Sequence, residues 1–433
     1  MNKSTLVPRL RFPAFQGAWD FSSMSQIYSF KGNNSLSRDK LNYSQGSFRN
    51  IHYGDIHTKF SLHFRVDREI VPYINDGELH SSIRPENYCV AGDIVFADAS
   101  EDIEDIGKVI EIIDAGDIPL VSGLHTILAR PCEEILSLGF GAYLFSSEGV
   151  RRQIQREAQG AKVLGLSASR LGNVQLYYPS KIEEQQKIAD CLSSIDELIS
   201  AEARKLDALK AHKKGLMQQL FPAKGETIPR LRFPEFRDAG EWKKKKISDV
   251  LMEAVRPLEM EDDEEYSLVI VKRRYEGIVS RGKLQGKSIK VKSQFFLQKD
   301  DFLISKRQIV HCACGLVPDE FDGAIVSNDY SVLRAKNGFC IKFFKYFCQQ
   351  PMVGRSFLEC SIGVVIEKML FKINDWLKRE FLFPSLDEQV RIANHFSSIE
   401  ELIAAQDQMV NALKTHKHGL MQQLFPVMDE MQT

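Results

Sequence analysis

The sequence predicts a mixed α+β protein in which two unlike, strand-rich globular modules are joined to two long helices that pack together. Three observations predict it. The stretch Glu184 to Pro222 (EQQKIADCLSSIDELISAEARKLDALKAHKKGLMQQLFP) recurs at Glu388 to Pro426 (EQVRIANHFSSIEELIAAQDQMVNALKTHKHGLMQQLFP), at a constant offset of 204 residues. A lead-in, VPRLRFPAF at Val7 to Phe15, recurs as IPRLRFPEF at Ile228 to Phe236, at an offset of 221. The regions between these repeats have diverged. An internal repeat of this kind decides the architecture before any local feature does.

Each half opens with its lead-in, whose prolines and bulky side chains predict an ordered, extended segment. A tryptophan follows, Trp19 or Trp242, then a short apolar segment, Met24 to Ile27 or Ile247 to Leu251. Residues 28–178 then carry strand-like runs at Tyr88 to Ala97, Lys108 to Ile113 and Val121 to Ala129. Residues 252–383 carry similar runs at Ser267 to Val271, Phe302 to Ser305 and Gly323 to Val326. Short β-branched runs broken by Gly, Asp and Pro are the signature of strands. One fragment echoes across the halves: Ala91 to Phe96 (AGDIVF) against Lys299 to Ile304 (KDDFLI). Both modules close on a proline and a serine, Pro179-Ser180 and Pro384-Ser385.

The repeated stretch reads as a helix with a heptad seam. In the first copy the seam carries Ile188, Leu192, Ile195, Ile199, Leu206 and Leu209, with polar interruptions at Glu202 and Lys213. In the second it carries Ile392, Phe396, Ile399, Ile403, Val410 and Leu413, interrupted at the matching Gln406 and Lys417. A single such helix would pack on its own domain. Two copies with the same seam and the same faults are expected to pack against each other, each roughly 50 Å long at 1.5 Å per residue. Pro222 and Pro426 end them. The chain is thus expected to divide at 1–178, 179–222, 223–383 and 384–433.

The formal net charge is −1, so no global field marks a polyanionic partner. No apolar run reaches the roughly 18 residues that span a bilayer, and no signal peptide opens the chain. The eight scattered cysteines suit a reducing compartment. A cytoplasmic, membrane-free protein is expected. The sequence contains no phosphate-binding GxxxxGK[ST] loop, no GxGxxG after a strand, no HExxH and no GxSxG. His311-Cys312-Ala313-Cys314 is too tightly spaced for a usual zinc site and is expected to be small residues buried in a strand. No catalytic or metal-binding residue is assigned.

Local charge is more informative. Between Tyr266 and Val310 stand eleven basic residues against three acids, a local excess of eight. Lys272, Arg273, Arg274, Arg281, Lys283, Lys287, Lys306 and Arg307 are the candidate DNA contacts there. Glycines and aromatics are interleaved, as close approach to a phosphate backbone requires. The competing reading is a solvated basic face balanced by the neighbouring acidic run Glu259 to Glu265 (EMEDDEE). In the first module the basic residues are sparser, and Lys59, Arg151 and Arg152 are carried as candidates by the symmetry of the two halves.

With the paired EQxxIA…GLMQQLFP helices, the RLRFPxF lead-ins and the Pro-Ser module ends in hand, the chain resembles a specificity (S) subunit of type I restriction-modification systems. Tyr53-Gly54-Asp55-Ile56 and Gly92-Asp93-Ile94 resemble recurrent pieces of that family. The resemblance implies two target-recognition domains on an antiparallel coiled coil, related by a pseudo-two-fold internal repeat. Each domain is expected to read one half of a bipartite double-stranded DNA site. The implied partners are two methyltransferase (modification) subunits and motor-nuclease (restriction) subunits. S-adenosylmethionine, ATP and Mg²⁺ are expected on those partners, with no cofactor in this chain, which is expected to be non-catalytic. The alternative is a cytosolic coiled-coil adaptor whose modules bind proteins.

Overall fold

The computed structural model describes residues 7–77 and 83–426. The outer ends of the first and last expected segments, 1–6 and 427–433, lie outside the described residues. The two long helices run Ile182–Gln219 and Leu386–Leu424. Each begins just after its Pro-Ser, with two acids in the first turn (Glu183 and Glu184; Asp387 and Glu388), which favours the positive end of the helix dipole.

The chain forms two compact units. One comprises the chain up to Glu202 together with the residues from Met409 onward; the other is Ala203–Gln408. Each unit therefore holds the start of one long helix and the end of the other. The two-fold plan of the sequence becomes two units built from the same parts.

In the first unit a five-stranded sheet runs in the order Tyr28–Lys31, Thr126–Pro131, Ile94–Ala97, Val109–Asp114, His63–Arg65. Side chains alternate across it. Val95 and Ala97 join a core with Ile51 and Leu120 from a second, four-stranded sheet. Ile94 and Phe96 face a different core, made with the helix Phe140–Ser146, the start of the first long helix (Ile188, Leu192) and the end of the second (Leu424, Phe425). The second unit repeats this. Phe302 and Ile304 point to a core with Phe343, Phe344, Ile392, Phe396, Leu220 and Phe221, while Leu303 points the other way.

Three expected strands differ from their apolar runs, and of Gly323 to Val326 only Ile325 and Val326 are strand, which continues to Ser327. Of Tyr88 to Ala97 only Ile94–Ala97 is strand, because Gly92 turns the chain at φ +89 and Asp93 caps the turn, accepting from the Val90 N–H at 2.9 Å. Val121 to Ala129 is broken between Leu120–Ser122 and Thr126–Pro131, where His125 stands at φ +56. The AGDIVF/KDDFLI echo has a structural cause. Asp93 and Asp301 are both fully buried, and each is gripped by arginine. Arg130 donates to Asp93 at 2.9 and 2.7 Å; Arg256 donates to Asp301 at 2.9 and 2.7 Å, with Arg334 at 3.1 Å.

The repeated motifs meet at one junction in each unit. Arg11 of the lead-in clasps Glu184 through two hydrogen bonds of 2.7 Å, and Arg232 clasps Glu388 in the same way. Both carboxylates are buried. The next residue, Gln185, accepts from the Ser137 N–H and donates to the carbonyls of Ile135 and Pro179. Gln389 likewise accepts from the Cys340 N–H and donates to the Pro384 carbonyl. The Leu10 N–H donates to the Gln423 carbonyl at 2.9 Å, and the Leu231 N–H to the Gln219 carbonyl at 3.0 Å. Phe425 then lies between Trp19 and Phe140, as Phe221 lies between Trp242 and Phe343. The EQ, RLRF and QQLF motifs are alike because they make this joint twice.

The helices pair antiparallel inside each unit. In the first, Lys417 meets Asp196 at 2.6 Å; in the second, Lys213 meets Glu400 at 2.6 Å. Lys213 and Lys417 are polar faults of the seam, and each faces an acid on the other helix. Tyr143 and Tyr346 donate to those same acids at 2.7 and 2.9 Å. The apolar seam residues Ile188, Leu192, Leu206, Ile392, Phe396, Ile399 and Val410 are buried; Ile195, Ile199, Leu209, Ile403 and Leu413 are half-buried. The ends of the seam pack into the globular cores as well as along the partner helix.

Removing one partner of a buried ion pair strands the other charge. Glu184→Ala is expected to destabilise the first unit by about 3–5 kcal/mol, measured by urea unfolding. A change below about 1 kcal/mol, the level of an exposed pair, would show that the clasp is not structural.

Candidate nucleic-acid interface

The +8 segment divides into two parts with different surroundings. It begins as an antiparallel hairpin, Glu265–Val271 with Ile278–Gln285. Near its open end the acidic run neutralises the lysines. Lys283 lies 3.4 Å from Glu265, Lys287 3.5 Å from Asp263 and Lys292 2.8 Å from Asp262. For these lysines the balanced-face reading describes the geometry.

The closed end differs. Its turn displays Lys272, Arg273 and Arg274, all exposed. Arg274 and Tyr275 both adopt left-handed backbone, φ +57 and +59, which costs non-glycine residues on the order of 1–3 kcal/mol each. Hydrogen bonds hold that shape: the Arg274 N–H donates to the His311 carbonyl at 2.8 Å, and the Tyr275 N–H to the Cys312 carbonyl at 3.0 Å. Cys312 is itself left-handed at φ +58. Arg273 reaches Gln308 at 2.9 Å and Glu367 at 3.0 Å. Lys272, Arg274 and Arg281 have no ion-pair partner among the described residues. Lys306 donates to the Asn328 carbonyl at 2.8 Å and Arg307 to Asp329 at 3.1 Å. Ala313 and Cys314 are buried as expected, but only Cys314 begins a strand.

In the first unit the three candidates separate. Arg151 donates to the carbonyls of Gly107 and Glu104, and burial lowers its pKa, so its charge is spent on backbone. Arg152 pairs with Glu148 one turn away. Lys59 belongs to a cluster that charge counting missed. Fully buried Asp55 takes Arg38 at 2.7 Å and Lys59 at 2.9 Å. Burial pushes the Asp55 carboxyl up, but the hydrogen bonds from Arg38 and Lys59 outweigh it and hold the group below its usual range. Both cations also reach the exposed Tyr43 hydroxyl, at 3.1 and 3.3 Å. His52 Nδ1 accepts the Gly54 N–H at 3.1 Å, and burial together with the Arg38 charge brings its pKa down to about 4. Tyr53 packs on His52 and on the exposed His125, ring centroids 4.7 and 5.2 Å apart. The Tyr53-Gly54-Asp55-Ile56 motif was the available signal; nothing local marks Arg38, Tyr43 or His125.

The unit also has a cleft of about 630 Å³ lined by Tyr28, Asp93, Glu111, Arg130 and Cys132 among others. Burial raises Glu111 to about 7, although it accepts backbone N–H groups from Gly139 and Ala142 that favour its carboxylate. Among the described residues no group of three or more His, Cys, Asp or Glu is arranged to hold a metal, and no helix is long and apolar enough to cross a membrane.

Residues 42–211 match the family model described as the type I restriction modification DNA specificity domain. The fold is similar to the crystal structure of the type I restriction-modification S subunit from M. genitalium, with a TM-score of 0.59 at 12% identity, over 98% of this chain and 100% of that one. The chain has the domain and the fold of a type I specificity subunit. A second structure, from work on assembly and conformational transition of the type I R-M system, matches with a TM-score of 0.54 at 13% identity over 94% and 97% of the chains. In sequence, the putative type I restriction enzyme MjaX specificity subunit of Methanocaldococcus jannaschii is 29% identical over 135 residues. That match spans 30% of this chain and 31% of the relative's length. On this specificity-subunit fold, the turn of the second unit joins cations to an aromatic on left-handed backbone, and the Arg38–Tyr43–Lys59 cluster of the first joins cations to an exposed aromatic.

Glu111 gives a pH test of the first unit. A carboxyl whose folded pKa is raised binds its proton more tightly in the folded state. Its stabilising contribution is full below the ordinary value of 4.5 and is lost as pH rises to about 7. The loss is on the order of 3 kcal/mol at 1.36 kcal/mol per unit. Glu111→Gln is expected to remove that slope, read as the difference between variant and parent in urea unfolding across this window. Parallel pH profiles for the two proteins would contradict the assignment.

Proposed function

We propose that this chain is the DNA-specificity subunit of a type I restriction-modification complex, non-catalytic itself, with each unit reading one half of a bipartite site. The observation that carries the reading is a DNA specificity domain on a chain whose halves share a joint but not a surface. Two readers of different sequences, held by one scaffold, need that combination. The second unit offers Lys272–Arg274 on a rigid, strained turn; arginine there suits phosphate or guanine edges. The first offers Arg38, Lys59 and Tyr43 oriented by Asp55. The adaptor alternative gains nothing from the relatives.

Methylation and cleavage belong, in this proposal, to partner subunits that carry S-adenosylmethionine, ATP and Mg²⁺. Two modification subunits would dock on the helices. Equivalent exposed apolar residues recur there, Ile182 and Leu198 in the first unit and Leu386 and Leu402 in the second. Two copies of one partner need two equivalent patches. The partner subunits would flip the target adenine from the stack.

The test is selection from random duplexes by the full chain co-expressed with its modification subunits. A bipartite motif with a fixed spacer is expected; no enrichment would contradict the reading. Deleting matched heptads, Leu206 to His212 with Val410 to His416, is expected to shorten the spacer. Seven residues at 1.5 Å correspond to about 3 base pairs at 3.4 Å. An unchanged spacer in an intact complex would remove the helices as the ruler. Within the candidate turn, Arg274→Ala is expected to weaken binding by about 1–3 kcal/mol. Lys283→Ala, already paired with Glu265, is expected to cost less than 0.5 kcal/mol, roughly the scale of neutral surface changes. Equal losses would show that the neutralised end also contacts DNA.

A further inference from the structure

The second unit leaves one contiguous aliphatic surface bare. Ser361–Ile362 pairs with Leu370–Phe371 to form a small hairpin. At its tip Ile362 is 56% exposed, Val364 102%, Val365 54% and Ile366 56%. A continuous aliphatic tip in water marks an interaction site rather than ordinary surface scatter.

The tip is built, not loose. Gly363 bends the chain at φ +143, where a Cβ would come within 3.0 Å of Met369 Cα. Behind it, Glu367 accepts from Arg273 at 3.0 Å and lies 3.2 Å from His311 Nε2. The finger is thereby tied to the strained turn that displays Lys272 and Arg274. Its root is tied to the other basic stretch, where the Phe371 N–H donates to the Lys306 carbonyl at 2.9 Å. An apolar tip rises among cations on every tether.

From this juxtaposition we infer that the Gly363–Ile366 finger is a wedge that opens a base step in the half-site read by the second unit, while Lys272 and Arg274 hold nearby phosphates. The inference rests on the DNA-reading function proposed above. The surrounding cations select a polyanion as the occupant. Aliphatic side chains set among phosphate-binding cations are the means by which proteins part stacked bases from the minor groove. Among the described residues the first unit has no equivalent tip. Its matching glycine, Gly160 at φ +137, closes a tight turn in which a Cβ would lie 2.0 Å from the Val163 carbonyl oxygen. Only Val163 is an exposed large apolar residue there. The wedge therefore marks one half-site and not the other, and opening a step adds selectivity for the easily unstacked pyrimidine–purine steps.

The test uses the full chain with its modification subunits and a duplex carrying the selected site. 2-Aminopurine is placed in turn at each step outside the methylated adenine. Fluorescence is expected to rise at one step of the second unit's half-site. Combining Val364→Ser, Val365→Ser and Ile366→Ser, all on exposed residues, is expected to abolish that rise. The same variant should weaken specific binding roughly 10–100-fold, with the salt dependence unchanged. Combining Lys272→Ala with Arg274→Ala is expected to lower the slope of log K against log salt by about 2, near 0.9 per phosphate. A serine variant with parental fluorescence and affinity overturns the wedge. So does one that fails to co-purify with the modification subunit, which would assign the finger to a protein partner. If the parent binds duplex but no step brightens, the wedge alone fails. If it binds no duplex, the function itself fails.

Discussion

The clasp between a lead-in arginine and a buried helix-start glutamate, Arg11 with Glu184 and Arg232 with Glu388, is the constraint on which the rest depends. A buried carboxylate is tolerated only when it is paired and hydrogen-bonded. Satisfying it fixes where the lead-in lies against the helix. The glutamine beside it ties the loop before the short helix and the proline before the long one. The lead-in backbone then receives the end of the other long helix through Leu10 or Leu231. Four segments distant in sequence converge because one charge must be neutralised.

The helices obey the same logic. Lysine on a heptad seam weakens a coiled coil, yet both copies keep one at the same place. Each meets an acid, Glu400 or Asp196, that also accepts a tyrosine hydroxyl from the adjoining module. Seam polarity of this kind costs stability and specifies register. It also couples register to the module, since Tyr143 and Tyr346 sit on the short helices of the two cores. In the second unit Lys345 adds a further contact to Glu400 at 2.6 Å, a departure from strict equivalence.

What was legible in the sequence followed from repetition. The long helices, their seam and the doubled plan were visible because two copies exposed which residues the joint needs. The recognition surfaces were less legible. Charge counting treated Lys283, Lys287 and Arg274 alike, whereas the open end of the hairpin sets the first two beside Glu265 and Asp263, and Arg274 has no ion-pair partner among the described residues. The symmetry of the two halves carried Arg151 as a DNA candidate, whereas its guanidinium is bonded to backbone carbonyls. Neither charge nor symmetry singled out Arg38, because only the folding of Asp55 into the core makes that arginine a fixed, oriented cation. The left-handed turn at Arg274-Tyr275 and the aliphatic finger at Val364 are set by tertiary contacts that no local propensity encodes.

The unlike modules carry the functional claim, since a shared joint with divergent surfaces makes sense where two different sequences are read at once. Its most direct test is a base-resolution methylome of cells with and without this gene, in a strain that also expresses a type I modification subunit. The account predicts one bipartite adenine-methylated motif that disappears when the gene is deleted. A methylome identical in both strains, despite an active methyltransferase, would contradict it.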